Sequence, residues 1–264
     1  MKNLTIILFS FAAVFVFSNR GVFAQTVVVP NALDNVEGSD RALAPFNCGG
    51  IPAPTTSMRY QQIYLGSQFS EEGLIDKISL RLNNQSGSGS PGFGPTILPN
   101  VLIELSTTQI QPDAINSVFA DNVGPDVQTV YSGDLALSAP DCNTQSCPFD
   151  VMILLESPFF YNHFNGNLLL DVRIPDCVNL NTNSDIYFDG TDDFPTTISR
   201  VSAPDVNAEK APDTQRPPFV TQFRIIEPPP PAQVPTLSEW GMIAMVGILG
   251  IVGFMVIRRK KITA

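Results

Sequence analysis

Four aspartates, Asp185, Asp189, Asp192 and Asp193, fall within the short run DIYFDGTDD. Carboxylate oxygens gathered on a loop are the hard ligands that Ca²⁺ takes, about six to eight per ion. The spacing departs from the EF-hand loop, whose glycine and closing glutamate stand elsewhere. Asp and Gly also form turns without any ion, so the run reads first as a turn and second as a Ca²⁺ site. His163 is the only histidine of the chain and stands in YNHFNGN, residues 161–167, a turn pattern. No G-x-S-x-G nucleophile elbow accompanies it. No catalytic residue is therefore assigned. A glycosidase would need two acids about 5–9.5 Å apart in a cleft, and nothing in the sequence singles out such a pair. Phe159, Phe160, Tyr161 and Phe164 could stack on sugars if exposed, but aromatics beside a strand belong first to a core.

The other reactive side chains are Cys48, Cys142, Cys147 and Cys177. A single histidine and the absence of a C-x₂-C pair argue against zinc. A local bridge across CNTQSC, joining Cys142 to Cys147, is geometrically plausible and would leave Cys48 with Cys177. Spacing alone does not choose among the three possible pairings.

Charge narrows the partners. The chain of 264 residues carries 15 Lys+Arg against 25 Asp+Glu, a net of −10. Between residues 25 and 234 nine cations face 24 acids, a net of −15. Nucleic acid is excluded, because phosphate binding needs an excess of Lys and Arg. Such a surface also resists anionic membranes.

The elements that must position these residues read as strands. ISLRL (78–82), VLIELS (101–106), LLLDVR (168–173) and residues 219–226 alternate with period two. Val151–Leu155 is a continuous apolar run, the pattern of a strand buried on both faces. Further strands are expected over 60–65, 129–132, 135–138, 186–188 and 197–201. No helical period with caps occurs between residues 25 and 227. Short strands separated by turn residues over about 200 positions predict an all-β ectodomain, an antiparallel β-sandwich or jelly-roll-like fold. The run NNQSGSGSPGFGP (83–95) is expected as a flexible loop, and the proline-rich stretch 202–218 as a connection across an edge or end.

The two ends are apolar for different reasons. Residues 1–24 have a Lys2 start, a fourteen-residue apolar run from Leu4 to Phe17 and small residues up to Ala24. That is a secretory signal peptide cut before Gln25. Residues 240–257 contain no charge and are followed by Arg258, Arg259, Lys260 and Lys261. This is a transmembrane helix with a basic stop that stays cytoplasmic. Between ectodomain (25–226) and tail (234–264), EPPPPAQ (227–233) forms a polyproline spacer of about 22 Å.

The junction reads Val234-Pro235-Thr236-Leu237-Ser238-Glu239-Trp240-Gly241. With the span and the basic cluster behind it, this string resembles the IPTL-CTERM sorting signal, a relative of the PEP-CTERM signals, with Val234 in place of the usual Ile. The resemblance covers about the last thirty residues. It implies that Pro235, Thr236, Leu237, Ser238, Glu239, Trp240 and Gly241 are read by an exosortase-like membrane transpeptidase, which cuts near them and passes the protein to a surface acceptor. Pro235 is expected to keep the motif extended at the outer membrane face. Gly241, Ala244, Gly247, Gly250 and Gly253 recur every third residue and offer shallow patches to another helix. Segments 102–108, 119–138 and 149–173 also resemble exported β-domains that carry PEP-CTERM-type tails, a likeness that implies architecture and no activity. The sequence thus describes an exported surface protein, inserted in the inner membrane before it reaches the cell surface. Its domain is expected to be structural or to bind an extracellular glycan or matrix. A surface hydrolase and a plain type I membrane anchor are the rival readings.

Overall fold

The computed structural model describes residues 24–48, 55–84, 89–181, 184–212, 217–228 and 237–260, the side chains of 237–240, 259 and 260 excepted. Residues 1–23 of the signal peptide, most of the proline spacer, Val234, Pro235, Thr236 and Lys261 lie outside the described residues. The described residues form two units, one ending at Pro228 and one beginning beyond it.

In chain order the strands of the first unit begin with β1 (Ala24–Val29), β2 (Asp40–Ala42), β3 (Met58–Tyr64) and β4 (Gly73–Leu80). They continue with β5 (Phe93–Thr108), β6 (Gln128–Ala139), β7 (Val151–Tyr161) and β8 (Asn167–Ile174). The last are β9 (Phe188–Gly190), β10 (Ile198–Ala203) and β11 (Thr221–Ile226). One antiparallel sheet has the order β1-β11-β4-β7, the other β10-β3-β8-β5-β6, and β2 pairs separately with β9. Eight of these strands pair as nested rungs: β1 with β11, β3 with β8, β4 with β7, and β5 with β6. A long antiparallel hairpin rolled on itself has this order, so the sandwich is a jelly roll.

Period two explains what lies between the sheets. Val27, Ile75, Ile78, Val151, Phe159, Tyr161, Phe223 and Ile225 from one sheet meet Tyr60, Tyr64, Ile103, Leu105, Leu168, Leu170 and Val172 from the other. Tyr64 packs edge-on against Phe223 with ring centroids 4.9 Å apart, and its hydroxyl shares a 2.9 Å hydrogen bond with Thr221. Burial of each such ring stabilises the fold by about 1.5–3 kcal/mol.

The outer face of the five-stranded sheet is also covered. Phe119, Val201, Ala203 and Ala211 form a second small core there. Beneath it Arg59 donates to Asp171 at 2.9 Å, Gln61 donates to the same oxygen at 2.7 Å, and Asn122 donates to Gln61 at 2.9 Å. Residues expected to face water are therefore buried. Polar side chains at alternate strand positions look solvent-facing until a loop, here 109–127, folds over them.

Three local expectations are corrected. Val151–Leu155 is buried on one face only, with Met152 53% and Leu154 62% exposed, because the outer face of β7 is turned to solvent. Phe93–Pro95, expected in a loop, open the sixteen-residue β5, which irregularities in its register to β6 bend around the roll. The segments 129–132 and 135–138 are one strand, β6, joined through Gly133 at φ 158°, an angle few side chains tolerate.

Candidate functional site

The second unit is the helix α1 (Leu237–Lys260), 24 residues long. At 1.5 Å per residue it measures about 36 Å, enough to cross a hydrocarbon core of about 30 Å. Residues Gly241–Arg258 form a window apolar enough to span, and none of it is buried. A helix apolar on all sides needs lipid or other helices around it. Arg258, Arg259 and Lys260 continue the helix. Leu237, Ser238, Glu239 and Trp240 form its first turn and Gly241 follows, so five of the seven motif residues from Pro235 to Gly241 are helical and not extended, and an acid such as Glu239 favours the positive helix end. A Cβ built on Gly241, Gly247, Gly250 or Gly253 meets nothing within 4 Å.

The Asp185–Asp193 run does not converge. Asp189 is buried and bound to Arg81 at 2.7 Å, while its other oxygen accepts the Gly38 N–H at 2.9 Å. Burial raises the Asp189 pKa and Arg81 opposes it. Arg81 spends its remaining donors on the carbonyls of Leu33, Asp34 and Val36, and its guanidinium lies 4.7 Å from the centre of the Phe149 ring. Asp192 sits beside Asp40, and burial first, then that carboxylate, raises its pKa. Asp185 accepts the Tyr187 hydroxyl at 3.4 Å, and the backbone N–H of Asp193 donates to Thr191 at 3.2 Å. Among the described residues no group of three or more His, Cys, Asp or Glu is placed to hold a metal ion. The run is used as a turn and a brace.

Cys48 is bonded to Cys177, linking the segment after β2 to the one after β8, and Cys142 is bonded to Cys147. His163 lies in the short turn between β7 and β8, its ring centre 4.0 Å from that of Phe164. Phe159 and Tyr161 point into the core, whereas Phe160 and Phe164 are exposed. An open groove of about 670 Å³ runs beside the start of β5, lined by Gly92, Thr96, Asp141, Asn179 and Asn181 among others. Asp141 is the one acid among the described residues that line the groove, and it accepts the Gly92 N–H at 2.7 Å.

With this geometry in place, residues 232–260 match the family model described as the IPTL-CTERM motif. The match begins in the proline spacer and ends at the last residue of α1, so the chain carries an IPTL-CTERM sorting signal at its C-terminus. Comparison with curated proteins and with solved structures finds no match.

Proposed function

We propose that this chain is an exported surface protein whose tail is the substrate of an exosortase-like membrane transpeptidase. The enzyme cuts near Pro235–Gly241 and hands the jelly-roll domain to a surface acceptor. The observation that carries this reading is the motif match at 232–260, which coincides with one apolar helix closed by a basic cluster. A plain anchor needs the helix and the cations but not the Pro-Thr-Leu-Ser-Glu-Trp-Gly string.

Mass spectrometry of the mature C-terminus, in cells of the source, tests it. The parent is expected to be trimmed, and the triple change Pro235→Ala, Thr236→Ala, Leu237→Ala to stay full length and membrane-retained. Equal processing of parent and variant would remove the motif as a recognition element. Recovery of the parent with Ala264 attached would remove the whole reading.

For the domain we infer a structural or glycan-binding role. The groove beside β5 supports the second, since the amides of Asn179 and Asn181 and the carboxylate of Asp141 suit hydroxyl-rich ligands. Glycan binding without turnover, weakened by Asn179→Ala, is the expected result. Turnover lost on replacing a single carboxylate would favour a hydrolase instead.

A further inference from the structure

The outer face of the β1-β11-β4-β7 sheet ends in an apolar row. Ile226 of β11 pairs with Leu74 of β4, which pairs with Phe160 of β7. Their chain neighbours Ile225, Ile75 and Phe159 point inward and are buried, so strand alternation directs all three outward. Phe160 is 48% exposed, and Phe164, at the tip of the turn that follows β7, is 83% exposed. One step along the sheet stand Arg224, whose guanidinium is held by Asp76 at 2.7 Å, and Lys77, which pairs with the exposed Leu154 of β7. At the β1 position of the row stands Ala24, paired with Ile226. Removal of the leader there would place the α-amino group of Gln25 beside the row.

We propose that this row, Ile226-Leu74-Phe160 with Phe164 beside it, rests on the outer surface of the phospholipid bilayer while the protein is tethered. The place of the row in the chain selects this occupant. Ile226 is the last residue of the last strand, and ten residues, 227–236, separate it from the start of the apolar helix. Fully extended they reach at most about 35 Å, so the row cannot stray far from the lipid. Apolar and aromatic side chains with a long cationic side chain beside them, here Lys77, are what the headgroup zone accommodates. Glu71 and Glu72 are exposed nearby, so the partner is a zwitterionic surface and not an anionic one. The inference rests on the exported, tethered orientation but not on cleavage by any enzyme, and reconstituted protein separates the two.

The test uses the full chain in phosphatidylcholine vesicles. Trp240 is the only tryptophan, so a Trp240→Phe background carrying Phe160→Trp gives one reporter. Met152→Trp in the same background is the control, on the same strand and face but away from the row. Lipids brominated near the headgroup are expected to reduce Phe160→Trp emission by about twofold, the response of a ring at interfacial depth, and to leave Met152→Trp unchanged. Equal quenching of both reporters, or of neither, overturns the proposal. So does a Phe160→Trp signal shielded from lipid and acrylamide alike in a cross-linkable dimer, which would assign the row to a second copy of the chain.

Discussion

Arg81 and Asp189, 108 residues apart in the chain, form an ion pair 2.7 Å long in which neither side chain is more than 1% exposed. The guanidinium also closes the carbonyls of Leu33, Asp34 and Val36, so one cation ties the segment after β1 to β9 and to the end of β4.

Breaking that pair from one side is expected to be costly. Arg81→Met strands a buried carboxylate and should lower unfolding free energy by about 3–5 kcal/mol. In the double variant Arg81→Met, Asp189→Leu the loss should be smaller than the sum of the two single losses. Equilibrium denaturation of the full-length protein in detergent reads both. A single-variant loss below about 1 kcal/mol would place the pair in water.

Stability should fall as pH rises from the ordinary carboxylate range toward neutrality. Burial raises the carboxyl pKa values of Glu37 and Asp189, and burial with Asp40 raises that of Asp192. A folded state with raised acid pKa values holds more protons than the unfolded chain, so its advantage is complete below the unfolded value and fades through the folded one. Glu37→Gln is expected to flatten the slope of melting temperature against pH just above 4.5, the ordinary glutamate value, where the raised folded carboxyl titrates. An unchanged slope would show that the Glu37 carboxyl does not titrate differently on folding.

The two disulfides should contribute unequally. Cys48–Cys177 closes a separation of 129 residues and Cys142–Cys147 one of 5. Chain-entropy scaling gives about 5 and about 2 kcal/mol for these loops. Cys48→Ser with Cys177→Ser should therefore lower the unfolding midpoint more than Cys142→Ser with Cys147→Ser. The reverse order would mean that the longer bridge is not under native constraint.

The strands at 101–106 and 221–226 were legible because one buried face imposes alternation on the chain, and 168–173, buried on both faces, by its apolar run. The sorting tail was legible for another reason: Pro235–Gly241, an uncharged span and Arg258–Lys261 are contiguous, so their chemistry needs no folding to bring it together. What alternation could not supply was the partner of each strand. The nested pairing of β1 with β11 and β5 with β6 joins residues far apart in sequence, and many pairings satisfy the same pattern. Burial of Gln61 and Asp171 under residues 109–127, and the single exposed face of β7, depend on what folds over each sheet. So does the fate of Asp189, which composition offered as a Ca²⁺ ligand and which the roll places against Arg81. Local pattern determined what each segment wants to bury; only the closed sandwich decided what lies opposite, because burial is shared between surfaces and no segment can bury itself.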